Sequence, residues 1–334
     1  MKKFINRPED VVQETFAGFL ALYGDLFYQV EGFSAVAKRE LLPGKVALVI
    51  GGGSGHEPIF LEYIGDGYAD AVCQGNVFAA PSPDIIIAGA KAVARGQGVL
   101  FVYGNYAGDN LNFDMAAELL ELEGIASRTV RVMDDVASAP PERMTDRRGI
   151  AGDFFVIKVA GAACDAGLPL DEAFRVTVKA RDNTRTMGVA SAPGTIPGLE
   201  TPAFTLPAGE MEIGLGLHGE PGVRRGKMMQ ADATVDEMLS LILPDLPFRA
   251  GDRVCVLVNG FGATTKMELF IACRRTRERL QQEGLHIHDM QAGNYAVCQE
   301  MAGFSLTLSR LDDELQKYYD WPAWSPVFTN AGVR

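Results

Sequence analysis

The sequence predicts an α/β protein of two domains, each built on a mostly parallel sheet flanked by helices. Three observations lead there. At 334 residues the chain exceeds what one hydrophobic core usually serves. Short apolar runs that end in glycine alternate with longer runs of helical spacing, the pattern of parallel strands covered by helices on both faces. A proline-bearing stretch, SAPGTIPGLETPAFTLPAG (191–209), interrupts the alternation and reads as the crossing between domains, placed at 1–190 and 191–334.

Taken in order, KVALVIGG (45–52) reads as a buried strand, DIIIAGAKAVARG (84–96) as a helix and GVLFVYGN (98–105) as a second buried strand. NFDMAAELLELEG (112–124) reads as a helix capped by Asn112 or Asp114 and stopped at Gly124. SRTVRVMDD (127–135) follows as a third strand, and helices are expected over 154–167 and 170–190. Beyond the crossing, EMEIGLGLHGEPG (210–222) reads as a strand and turn, and TVDEMLSLIL (234–243) as a helix with Thr234 as cap. RVCVLVNGFG (253–262) is expected as a buried strand, KMELFIACRRTRERLQQEG (266–284) as an amphipathic helix, and 285–293 and 304–311 as the last strands.

Composition is that of a soluble globular protein, with 47% hydrophobic and 22% charged residues. Lys and Arg number 31 against 43 Asp and Glu, a net charge of −12 that disfavours nucleic acid and anionic membrane as partners. The five cysteines form no CxxC pair, which points to buried, reduced thiols and a cytoplasmic setting. The opening MKKFINRPEDVV lacks the apolar run of a signal peptide, and no apolar stretch is long enough to span a membrane.

Three strands end in glycine-rich turns: VIGGGSGHEP, VYGNYAGDN and VNGFGATTK. In open parallel sheets ligands sit beyond the carboxyl ends of the strands, so these turns are where a site is expected. GGGSGHEP (51–58) is not a generic nucleotide loop. Its dinucleotide and hydrolase-elbow patterns both fail at His56, and it has no lysine for a P-loop. It combines backbone N–H groups, which glycine lets a ligand approach, with one imidazole; a tight strand-to-helix turn is the plainer reading. The chain has four histidines, and a second one, His218, also lies in a glycine turn, GLGLHGEPG. His286 and His288 alternate in a strand and read as structural, since no cysteine or carboxylate cluster joins them to make a metal site. Asp109, past a strand end in NYAGDN, reads either as a helix cap or as a general base.

Together these segments resemble the dihydroxyacetone kinases, at the dihydroxyacetone-binding K subunit of the phosphotransferase-dependent type. The resemblance covers almost the whole chain. It rests on KVALVIGGGSGHEP, NYAGDNLNFDMAAELL, DDVASAPPERMTDRRGIAG, PAFTLPAGEMEIGLGLHGEPG and GNYAVCQEMAGFSLTLSRLDDEL. It implies that His218 adds to the carbonyl of a short-chain ketose as a covalent hemiaminal. His56 then has an acid–base role, Asp109 is the base for the hydroxyl that receives phosphate, and Gly53, Ser54 and Gly55 bind substrate. Addition to a carbonyl separates a ketone from glycerol more sharply than one hydrogen bond would.

The resemblance further implies a homodimer with no metal or nucleotide of its own. Phosphate would come from a separate nucleotide-carrying L subunit holding ADP or ATP and magnesium, because the helical nucleotide domain of the ATP-dependent relatives is not seen after residue 334. Three departures stand out. Gly104 replaces the family's substrate-contacting lysine, CQGNVF (73–78) replaces a Pro-Gly-Glu-type segment, and PDLPFRAGDRV (244–254) is short. Gly104 opens room for one more carbon, which makes a four-carbon ketose such as erythrulose a rival substrate. A ketone-binding coactivator of a transcription regulator is the rival of another class.

Overall fold

The structure, a computed structural model, describes residues 3–202, 204–216, 219, 220 and 222–331. The chain opens with α1 (Val11–Tyr23), β1 (Phe27–Gln29), β2 (Ala35–Lys38), β3 (Ala47–Ser54) and β4 (Ala71–Val77). Next come α2 (Pro83–Val93), β5 (Val99–Gly104), α3 (Ala107–Leu122) and β6 (Ser127–Val132), then α4 (Asp153–Asp165) and α5 (Leu170–Asp182). A second set follows: β7 (Thr184–Ala192), β8 (Glu210–Ile213), β9 (Arg224–Lys227), α6 (Ala231–Asp245), β10 (Arg253–Gly260), α7 (Lys266–Gln282), β11 (His286–Gly293), β12 (Ala302–Leu311) and α8 (Asp313–Tyr319).

The strands form two six-stranded sheets flanked by helices, ordered β1-β2-β4-β3-β5-β6 and β11-β10-β12-β7-β8-β9. In the first, β4, β3, β5 and β6 are parallel, and β1 and β2 add an antiparallel edge. In the second, only β10 and β11 are parallel and the remaining pairs are antiparallel. The parallel pairing expected of both sheets is therefore dominant only in the first. Parallel neighbours need a crossover of about a dozen residues or more, usually helical. Among the described residues no helix separates β7, β8 and β9, and residues 294–301 alone join β11 to β12.

Side-chain alternation sets the layers. On β3, Leu48 and Ile50 face one core while Ala47 and Val49 face another; on β5, Leu100 and Val102 part from Val99, Phe101 and Tyr103 in the same way. The outer face of this sheet is covered by α2 and α3. On β10, Val254, Val256 and Val258 point to α6 and α7, whereas Cys255 and Leu257 join the core shared with the first sheet. That shared core contains α4, whose residues from Asp153 to Cys164 are all buried. A helix that is apolar on every side belongs between layers. The order is thus helix, sheet, helix, sheet, helix. The last strands and α8 return to the same core through Leu311, Leu315, Tyr318 and Tyr319.

Three sequence expectations shift. The helix expected over 170–190 ends at Asp182, and TRTMGVA continues as β7, a central strand of the second sheet. Helix α3 begins at Ala107, so neither Asn112 nor Asp114 caps it. Thr234 lies inside α6, its hydroxyl donating to the Gln230 carbonyl at 3.0 Å.

Two charged side chains, Asp245 and Lys158, join the layers. Asp245, at the end of α6, accepts from Arg147 at 2.8 and 2.5 Å and from Arg185 of β7 at 2.5 Å. Burial would raise the Asp245 pKa, but the two guanidinium groups hold it below the usual range. Removing the carboxylate strands two cations, one of them fully buried. Asp245→Ala should cost about 3–5 kcal/mol in urea unfolding. Asp313→Ala, at the exposed pair with Arg253, should cost ~0–1 kcal/mol. Equal costs would show that Asp245 is no clasp.

Lys158, fully buried in α4, donates to the Tyr318 carbonyl at 2.9 Å. Burial lowers its pKa to about 7, against the opposing pull of Asp165 and Asp320. The unfolded chain keeps this proton up to the ordinary value of 10.5. Between those values the unfolded state binds the extra proton, so this group makes stability rise with pH. Below pH 7 the cost of the buried ammonium is present in full. Lys158→Met should therefore raise the melting temperature most below pH 7 and flatten its rise above it. A pH-independent difference would contradict this assignment.

Candidate active site

The glycine segment is strand, not loop. Gly51, Gly52 and Gly53 pair with Cys73, Gln74 and Gly75 of β4, while pairing with β5 stops at Ile50 and Val102. One edge of the glycines therefore leaves the sheet at the carboxyl end of β3. Each glycine is required by what it touches. A Cβ on Gly51 would lie 2.2 Å from the Cys73 carbonyl oxygen, on Gly52 2.2 Å from the Phe60 ring, and on Gly53 2.8 Å from the Ala79 nitrogen.

His56 follows this strand and is buried. Its Nδ1 lies 2.7 Å from the Val297 carbonyl oxygen, which can only accept, so Nδ1 carries the proton and Nε2 of the neutral ring carries the lone pair. The ring stacks on Phe78, with centroids 4.6 Å apart. Val297 belongs to the segment between β11 and β12, so the second sheet fixes the tautomer of a histidine supplied by the first.

His56, Gly53, Gly104 and Asp109 line one small pocket at the carboxyl ends of β3 and β5. Its volume is about 40 Å³ for the centres of water-sized spheres, where one water needs roughly 10–15 Å³. That is room for a few water molecules. Ser54 and Gly55 do not line it. The Ser54 hydroxyl donates to the Gly75 carbonyl at 2.7 Å, tying β3 to β4. Gly55, at φ +94°, gives its N–H to the Glu57 carboxylate at 2.9 Å and accepts from the Gln299 amide at 3.1 Å. Both border a second, wider cleft with Lys3 and Glu57.

Asp109 is buried in the first turn of α3, where the helix field favours a carboxylate. Tyr106, not Asp109, holds the cap position. The pocket also contains Asp153, the first residue of α4, which sequence reasoning missed. It is 3% exposed, and burial first, then Asp134 and Asp109, push its pKa well above the carboxylate range. Asp134 is itself occupied, accepting from the Ile150 and Gly152 amides at 2.8 and 2.7 Å. The available signal was a lone acid within GIAGDFFVIKVAGAA (149–163).

His218 lies outside the described residues. Its described neighbours are anchored. Gly216 donates to the Glu220 carbonyl at 3.2 Å, and Arg148 donates to the Gly214 carbonyl at 3.1 Å and pairs with Asp135 at 2.8 Å. Arg148 precedes Gly149, which lines the pocket. His288 meets Asp320 at 2.7 Å and His286 is exposed. Among the described residues no group of three or more His, Cys, Asp or Glu side chains is placed to hold a metal. No described helix is long and apolar enough to cross a membrane.

A Dak1 domain spans residues 17–327. The chain belongs to the Dak1 domain family. This Dak1 chain is 42% identical to the dihydroxyacetone-binding subunit of a PTS-dependent dihydroxyacetone kinase from Listeria innocua, over 98% of this chain and 99% of that one. It is also 42% identical to the L-erythrulose 1-kinase of Mycolicibacterium smegmatis, over 100% of this chain but 59% of that protein. Among solved structures, a dihydroxyacetone kinase operon co-activator superposes with a TM-score of 0.90 at 28% identity, over 95% of this chain and 98% of that one.

The close contacts at the strand end predict graded effects. Gly52→Ala should cost roughly 1–3 kcal/mol, because the Phe60 ring must move. Gly104→Ala should cost under about 1.5 kcal/mol, its nearest contact being the Gly149 carbonyl at 3.3 Å. Thermal unfolding of the two variants checks the order.

Proposed function

We propose that the chain is the substrate-binding subunit of a short-chain ketose kinase and acts on dihydroxyacetone. The observation that carries this is the meeting of His56 and Asp109, from two different strand ends, in one small pocket. The near end-to-end match to a dihydroxyacetone-binding subunit supports it.

In this reading a ring nitrogen of His218 attacks the ketose carbonyl. The C–N bond forms as the carbonyl π electrons move to oxygen, and the proton lost by the ring is gained by that oxygen. His56 relays it through Nε2 while Val297 keeps Nδ1 protonated. The product is a neutral hemiaminal that holds the substrate with its terminal hydroxyl toward Asp109. Asp109 takes the hydroxyl proton as the oxygen attacks the terminal phosphoryl of a nucleotide, and the P–O bond to the diphosphate breaks. The glycine segment lies within β3, not at a helix N-terminus, and does not form a phosphate cradle. In this proposal magnesium and ADP or ATP are carried by a separate L subunit, in keeping with the likeness to a PTS-dependent dihydroxyacetone-binding subunit, and the working unit is a homodimer.

A second reading, a four-carbon ketose such as erythrulose, is favoured by Gly104. It lines the pocket where a side chain would fill space beside Tyr106 and Asp153.

Intact-mass measurement under native conditions tests the covalent step. With dihydroxyacetone the wild type should gain the mass of one ketone, His218→Ala none, and Asp109→Asn the full adduct. Asp109→Asn should lose about 10²–10⁴-fold in turnover with the partner subunit. An adduct that survives His218→Ala would sink the histidine assignment.

A further inference from the structure

We propose that Asp153 sets which ketose is accepted, its carboxyl hydrogen-bonding a hydroxyl on the fourth carbon of the substrate in the space that Gly104 leaves open. The inference rests on the ketose reading of this pocket and, within it, takes the four-carbon substrate over dihydroxyacetone.

The geometry comes first. Asp153 is more than nine-tenths buried and lines the pocket, and its Oδ1 has no hydrogen-bond partner among the described residues. A buried carboxyl oxygen left without a partner costs about 1–3 kcal/mol, so it persists where a ligand completes it. A side chain at position 104 would meet the other oxygen of this carboxyl. A Cβ there would lie 3.4 Å from Asp153 Oδ2, 3.4 Å from the Tyr106 ring and 3.3 Å from the Gly149 carbonyl. A side chain at 104 would take up this corner of the pocket, where Asp153, Tyr106 and Gly149 form the wall.

The chemistry then selects the ligand. Burial, with Asp134 and Asp109 nearby, raises the Asp153 pKa and so favours the neutral carboxyl. A neutral carboxyl offers one O–H donor and one carbonyl acceptor, the complement of a hydroxyl, which both accepts and donates. The neighbouring carboxylates make this corner unfit for an anion. The hydroxyl of an added CH(OH) or CH₂OH group meets these conditions, and a triose lacks that fourth carbon. A site built to pair with a hydroxyl discriminates strongly against the analogue that lacks it.

The test is calorimetric titration of the purified chain with erythrulose and with dihydroxyacetone. The proteins are the wild type, Asp153→Asn, which keeps a neutral donor and acceptor, and Asp153→Ala, which keeps neither. The wild type should bind erythrulose more tightly. Asp153→Ala should lose about tenfold or more in erythrulose affinity, equivalent to about 1.4 kcal/mol, and less than about threefold for dihydroxyacetone. Asp153→Asn should stay within about threefold of wild type for both. With the partner subunit present, Asp153→Ala should raise KM for erythrulose with kcat largely kept.

Equal losses for both ketoses in Asp153→Ala would show that Asp153 shapes the pocket without choosing the substrate, and would overturn the proposal. Unchanged erythrulose affinity would do so too. Binding of neither ketose by the wild type would instead remove the ketose reading itself. Should Asp153→Ala fail to fold, Asp153→Leu is measured in its place with the same expectations, beside Asp153→Asn.

Discussion

Everything at the pocket depends on how closely backbone and aromatic rings approach β3 where it carries no side chains. Gly51 lies against the Cys73 carbonyl, Gly52 under the Phe60 ring and Gly53 against the Phe78–Ala79 backbone. Glycine is entropically costly inside a strand, and here that cost yields a floor flat enough for a ligand to rest on. The same approach brings Phe78 over the imidazole of His56, three residues beyond Gly53 in the chain. Ring stacking on one face and the Val297 carbonyl at the edge leave His56 one orientation.

Acidic groups converge around that floor. Asp109, Asp134 and Asp153 are all buried near the ends of β5 and β6. They coexist because each is treated differently. Asp109 sits at a helix N-terminus, Asp134 accepts two backbone amides, and Asp153 keeps one oxygen without a partner among the described residues. Burial raises the Asp134 and Asp153 pKa values alike, and at Asp134 the amide hydrogen bonds work against that rise. Arg147 and Arg148 bear the counter-charge from behind, one on Asp245 and one on Asp135, and so join the pocket wall to α6 and to the glycine turn of the second sheet.

Much of this was legible in the sequence, for specific reasons. β3, β5 and β10 are apolar runs closed by glycine, and strand ends of that kind mark where ligands bind, which put His56 and Asp109 on view. Pairing direction was not legible, because a buried strand reads alike whether its neighbour is parallel or antiparallel. The boundary between α5 and β7 was hidden because Arg181, Asp182 and Asn183 lead into the strand without glycine or proline. Asp153 was overlooked since one acid at the head of an apolar helix reads as an ordinary helix start. The roles of Ser54 and Gly55 were drawn from a motif that treats the segment as a loop; as strand, Ser54 turns its hydroxyl to β4.

The chain's return to its own beginning has an optical consequence. Both tryptophans, Trp321 and Trp324, lie in the segment after α8. Trp324 pairs its backbone with Asp66 and packs its ring 6.4 Å from both Tyr23 and Phe27. Neither tryptophan lines the pocket. Tryptophan emission from this protein is therefore a gauge of the seam where its last turns dock on its first, set apart from the pocket between β3 and β5.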